Sequence, residues 1–159
     1  MLGNEIQINE KRIGAKHPPY VIAEAGSNHN QSFETALRLI DVAADAGVDA
    51  VKFQLFVAEE LYPAGTEMHA IFKSIELSTS WLEKLMVHSK ERGLHFFASA
   101  FDRKSVDTLA ELKVPAFKIA SSETTNFSLL AHTAKKGRPM LISTGMCDLI
   151  DVIEAVKLC

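Results

Sequence analysis

Two lysines stand inside apolar runs, Lys52 in AVKFQ and Lys118 in AFKIASSE. Burying an ammonium without a partner is costly, so each must face an anion. The chain offers two sources for it. Glu24 and Glu123 close other strand-like runs and can pair with the lysines in a buried network that no ligand touches. Alternatively the lysines face a ligand, and their companions favour this reading. Gln54 lies two residues from Lys52 and shares its strand face, while Ser99, Ser121, Ser143 and Thr144 bring hydroxyl groups to the ends of other runs. Two ammoniums among hydroxyls and backbone amides suit a doubly anionic ligand, such as a molecule carrying both phosphate and carboxylate.

A second concentration of polar groups lies in YVIAEAGSNHNQS, where an apolar run ends on Glu24, turns at Gly26 and places Asn28, His29 and Asn30 before a helix begins. A turn needs fewer donors and acceptors than this. His29 reads as a loop-ordering or substrate-contacting residue rather than a metal ligand. His69, His88, His95 and His132 have no ligand spacing and read as surface or packing residues. The chain contains no HExxH, CxxC, GxGxxG or GxSxG, which leaves a zinc peptidase, a dinucleotide enzyme or a serine hydrolase without support.

These groups act together only if the fold brings them to one edge. From residue 20 onward, short β-rich runs alternate with helical patterns, the signature of parallel βα units. The predicted strands are 20–25, 50–54, 95–100, 116–120 and 140–143, and all five carry their polar residues at the C-terminal end, where parallel sheets bind ligands. Ser32 caps the first helix and Gly47 stops it; Ser80 and Glu83 form a capping box for the next, which Gly93 ends. Asp102, Asn126 and Asp148 open the remaining helices, with the KVP at 113–115 and Gly137 as stops. The stretch 55–79 reads as one extended loop on the functional side. Residues 6–14 alternate around a polar turn and predict a hairpin able to plug the N-terminal end of a barrel.

The chain has 159 residues, 47% hydrophobic and 23% charged, with a net charge of −3. This composition predicts one soluble domain spanning 1–159 and no nucleic-acid or membrane partner. No signal-peptide core or membrane span is visible, so the expected location is cytoplasmic. Cys147 and Cys159 read as free thiols. A closed (β/α)8 barrel takes about 250 residues. Five units therefore mean either a small open sheet or the first part of a TIM barrel, and composition does not separate the two.

IAEAGSNHNQS, AGVDAVKFQ, FFASAFDRKSVD, VPAFKIASSETTN and GRPMLISTGM, in this order, resemble the N-acetylneuraminate (sialic acid) synthase family, over essentially the whole chain. Ala100 in ASAFD departs from the proline of many relatives. The resemblance implies an α/β fold of TIM-barrel type, here the first five or so units behind the hairpin, with the C-terminal antifreeze-like domain absent. It implies a transferase of carbohydrate biosynthesis that condenses phosphoenolpyruvate with an N-acyl sugar aldose, such as N-acetylmannosamine, into a nine-carbon 2-keto sugar acid and phosphate. It places Lys52, Lys118, Ser121 and Ser143 on phosphoenolpyruvate with Gln54 beside them, and Asn28 and His29 near the sugar. Glu24 and Glu123 become the catalytic carboxylates. The divalent metal expected for the complete enzyme, Mn2+ or Mg2+, has its ligands outside this chain, so the chain alone is expected to have little synthase activity, and its open edge suggests a homo-oligomer. Two alternatives stay open: a related phosphoenolpyruvate-aldose phosphate synthase, and a noncatalytic half-barrel that binds a sugar phosphate.

Overall fold

Alternation along the strands decides where everything else goes. In the computed structural model, which describes residues 5–159, β1 (Glu5–Ile8) and β2 (Lys11–Gly14) form an antiparallel hairpin. A parallel sheet follows, with β3 (Ile22–Gly26), β4 (Ala50–Leu55), β5 (His95–Ala100), β6 (Phe117–Ile119) and β7 (Met140–Ile142) adjacent in chain order. The helices are α1 (Phe33–Asp45), α2 (Ala58–Leu61), α3 (Glu67–Ile75), α4 (Leu82–Glu91), α5 (Arg103–Glu111), α6 (Phe127–Ala134) and α7 (Leu149–Leu158). This is the α/β architecture of the first five units of a barrel, led by a hairpin. No helix among the described residues is long and apolar enough to cross a membrane.

Because successive side chains alternate in a strand, the sheet has two distinct faces. Val51, Phe53, Phe96, Ala98 and Phe117 point toward the helices and join Ile40, Leu85, Leu109 and Leu129 in the main core. Ala50, Phe97 and Ala116 point the other way and close around Ile8 of the hairpin, which is fully buried. The hairpin thus plugs the sheet at the N-terminal ends of its strands. Two polar links hold it there: Glu10 to His95 at 3.0 Å, with the Tyr20 hydroxyl 2.5 Å from the other imidazole nitrogen, and Lys11 to Asp49 at 3.0 Å.

The caps expected from local signals form. Ser32, Asp102 and Asn126 accept from the backbone amides of Thr35, Ser105 and Leu129. Asp148 and Asp151 make a reciprocal capping box. Two expectations need correction. The stretch 55–79 is not one loop: it contains α2 and α3, and α3 starts where the Thr66 side chain accepts from the His69 amide. Ser80 and Glu83 form no capping box, because a 3-10 turn over Thr79–Trp81 feeds directly into α4, and Ser80 instead lies 2.8 Å from the Ser78 hydroxyl.

The three helical histidines follow one pattern. A histidine and a cation four residues later grip a single carboxylate of the neighbouring helix. His88 and Arg92 hold Asp41, at 2.9 and 3.0 Å. His132 and Lys136 hold Asp107. His69 and Lys73 hold Glu59, at 3.5 and 3.1 Å. The spacing puts both side chains on one helix face, so each clasp joins α1 to α4, α5 to α6, or α2 to α3.

Candidate active site

Parallel register sets the site. Glu24 pairs with Lys52 across β3 and β4, Gln54 with Ser99 across β4 and β5, and Ser99 with Lys118 across β5 and β6. All lie near the C-terminal ends of their strands, on the face whose deeper layer is Ala50, Phe97 and Ala116. Lys52 is 8% exposed. It forms an ion pair with Glu24, whose carboxylate stays half exposed, and donates to Ser99 Oγ at 3.1 Å. Lys118 is only partly buried and donates to Ser143 Oγ at 2.6 Å and to the Ile119 carbonyl at 2.5 Å. Burial lowers the Lys118 pKa, and the nearby Lys52 charge lowers it further, with only partial compensation from Glu24. The rim therefore holds two mutually repelling ammoniums and one carboxylate.

Ser143 is held from behind. Its amide donates to the Ile119 carbonyl at 3.1 Å, and the buried Thr124 hydroxyl donates to its own carbonyl at 2.7 Å. Thr124 was not singled out by sequence reasoning; the signal was its place in the polar run SSETT that follows a buried strand. Gln54 accepts from Ser27 Oγ at 3.2 Å, which ties β4 to the first loop and adds Ser27 to the residues of the rim.

Glu123 is not brought to the lysines. It ends a 3-10 turn over Ser121–Glu123, and its carboxylate accepts from Ser122 Oγ at 3.2 Å and Asn126 Nδ2 at 3.1 Å. The internal pairing of Lys118 with Glu123 is thereby corrected: the short turn after β6 carries the carboxylate toward α6. Ser121 opens the same turn, and its carbonyl accepts from the Cys147 thiol at 3.6 Å.

At the end of β3, Gly26 takes φ 58, a left-handed conformation open to glycine, and so makes the turn into the first loop. Asn28 Nδ2 donates to the Ala25 carbonyl at 3.0 Å, and Asn28 itself is exposed. His29 differs. It is fully buried, accepts from the Gln31 amide through Nδ1 at 3.2 Å, and meets the Trp81 ring edge-on. Burial lowers its pKa and so favours the neutral ring, and an Nδ1 that accepts from the Gln31 amide leaves the proton to Nε2. Its reading as a substrate contact is corrected to loop ordering, because no part of it reaches the surface.

Among the described residues no three His, Cys, Asp or Glu side chains converge to hold a metal ion. What the rim can do is bind a compact dianion through two ammoniums and two hydroxyls.

Residues 39–159 match the NeuB family. The chain is 40% identical over 147 residues to a Mus musculus protein named N-acetylneuraminate-9-phosphate synthase, covering 84% of this chain and 41% of that one. It is 38% identical over 160 residues to the Bacillus subtilis spore coat polysaccharide biosynthesis protein SpsE, covering 94% and 43%. Among solved structures, the N-acetylneuraminic acid synthetase of Leptospira borgpetersenii serovar Hardjo-bovis in complex with citrate superposes with a TM-score of 0.92 at 34% identity, covering 97% of this chain and 54% of that one. The chain spans about half the length of the relatives it matches.

Proposed function

The chain belongs to the NeuB family, and from that premise we propose that its lysine rim binds phosphoenolpyruvate for condensation with an N-acyl sugar aldose. Two of these relatives are named as an N-acetylneuraminate-9-phosphate synthase and an N-acetylneuraminic acid synthetase. In the proposed reaction the methylene carbon of phosphoenolpyruvate bonds to the aldehyde carbon of the sugar, water adds to the former enol carbon, and phosphate departs from it. The product is a nine-carbon 2-keto sugar acid.

The observation that carries the reading is the convergence of Lys52 and Lys118 on either side of Ser99 at the C-terminal edge of the sheet, with a single carboxylate, Glu24, paired to Lys52. A ligand bearing phosphate and carboxylate supplies the missing negative charge. Lys52 and Lys118 would take the two anionic groups, with Ser99 and Ser143 as their hydroxyl neighbours. Gln54, bonded to Ser27 of the first loop, and Asn28 of that loop would contact the sugar. Glu24, half exposed and in contact with Lys52, is the carboxylate we assign to proton transfer, ahead of Glu123, which is held in its own turn.

A divalent metal belongs to the reaction proposed for the family enzyme. The donor set of this rim, ammonium and hydroxyl with one ion-paired carboxylate, does not fit such an ion.

Calorimetric titration of the chain with phosphoenolpyruvate tests the reading. Saturable binding that Lys52→Gln and Lys118→Gln each weaken is the expected result. Binding that neither substitution changes would overturn it.

A further inference from the structure

We propose that the space between α4 and α5 is a second binding site, for a small amphipathic monoanion such as an aryl or branched-alkyl carboxylate. A cleft of about 580 Å³ opens there, at the N-terminal ends of the strands, opposite the lysine rim. Its volume falls within the range of small-molecule sites. Its floor is apolar, made by Met86, Leu94, Phe96, Leu112 and Pro115.

This joint lacks the carboxylate clasp that its neighbours carry. Asp41 clasps α1 to α4, and Asp107 clasps α5 to α6. Among the described residues no ion pair joins α4 to α5.

Two ammoniums flank the mouth, Lys90 from the last turn of α4 and Lys113 just past α5. Among the described residues neither side chain forms an ion pair or hydrogen bond. Lys113 has φ 58, while the residues that end α1, α4 and α6 in the same left-handed conformation are Gly47, Gly93 and Gly137, with φ 72, 76 and 67. A side chain is disfavoured there. The chain thus keeps a strained lysine where its sibling units use glycine, and that position borders the cleft. Strain of this kind concentrates where a residue serves binding. The third side is Glu10, engaged with His95 at 3.0 Å. Its carboxylate leaves the two lysines for a ligand and disfavours a dianion. An apolar body on the floor and one carboxylate between Lys90 and Lys113 satisfy both features.

The experiment titrates the full, isotopically labelled chain with 3-phenylpropionate and follows the amides of Val87, Leu94, Leu112 and Lys113 by NMR. Saturable shifts confined to this region are expected. The neutral 3-phenylpropanamide should bind more weakly, and Lys113→Gly should weaken the carboxylate by about two- to fivefold, the scale of an exposed ion pair. Lys113→Gly relieves the backbone, so thermal stability should hold or rise, and loss of binding cannot then be ascribed to unfolding. Absence of saturable shifts, equal binding of the amide, or unchanged affinity in Lys113→Gly would each overturn the proposal. Displacement by phosphoenolpyruvate would overturn it too, since that ligand is assigned to the opposite edge of the sheet. Failure at either edge leaves the other reading standing.

Discussion

Glu24 and Lys52 are register partners on adjacent strands, and their ion pair joins an exposed carboxylate, 51% accessible, to an ammonium side chain that is only 10% accessible. The two ends of this pair are not equivalent. Removing Lys52 returns Glu24 to water, whereas removing Glu24 leaves a buried charge supported by Ser99 alone.

The first prediction follows from that asymmetry. Lys52→Gln should keep the fold and weaken phosphoenolpyruvate by roughly 10- to 100-fold, the scale of a charge-assisted hydrogen bond. Glu24→Gln should lower stability yet bind the dianion at least as tightly as the parent chain, because the ligand no longer competes with a resident carboxylate. Calorimetry and urea unfolding on both variants measure this, and tighter binding by Lys52→Gln would refute it.

Lys118 gives a pH signature. Its pKa is lowered from 10.5 by burial and then by Lys52, and a bound dianion stabilises the protonated form. Affinity should therefore fall as pH rises through the lowered value, at lower pH than an ordinary lysine would produce. The phosphate of the ligand, with its second pKa near about 6, is already fully ionised in that window. Titrations at stepwise pH in Lys118→Gln should lack the fall; an identical fall in the variant would count against the assignment.

His29 controls stability rather than binding. Its folded pKa lies below the ordinary 6.5, so below pH 6.5 the unfolded chain holds a proton that the folded chain does not. Stability from this residue should decline as pH drops from 6.5 and level off beneath the lowered pKa. In His29→Gln that part of the slope should vanish, read as the difference in urea midpoints between the two chains. Phosphoenolpyruvate affinity at pH 8 should be unchanged, provided the variant remains folded.

The hairpin plug has a measurable worth. Ile8 is fully buried against Ala50, Phe97 and Ala116. Ile8→Ala should destabilise by about 2–5 kcal/mol, seen as a lower urea midpoint, while leaving the charged layer above it intact. A change under about 0.5 kcal/mol, as for surface substitutions, would show that the hairpin does not seal the sheet.

Much of this was legible in the sequence because its signals are local. Short β-rich runs alternating with helical patterns located all five strands, and the caps at Ser32, Asp102 and Asn126 depend only on residues three positions apart. What escaped was decided by geometry. The short helices α2 and α3 were hidden inside a stretch read as loop, although Thr66 followed by Met68, Ile71, Phe72 and Ile75 carried the helical spacing. The rim position of Lys52 and Lys118 could be read from their place at strand ends. The partner of Lys118 could not, because a single 3-10 turn decides that Glu123 faces Asn126 and leaves the lysine to Ser143.

The seat of the hairpin carries a consequence for how the chain reaches this state. Ile8 rests on residues from β4 and β5 and on Ala116 beside β6, and Glu10 finds His95 across 85 positions of sequence. Long-range contacts of this kind form late, since closing the intervening chain must precede their reward. The hairpin has no surface to rest on until β4, β5 and the start of β6 have come together, so an element that precedes the sheet in the chain is placed only after it.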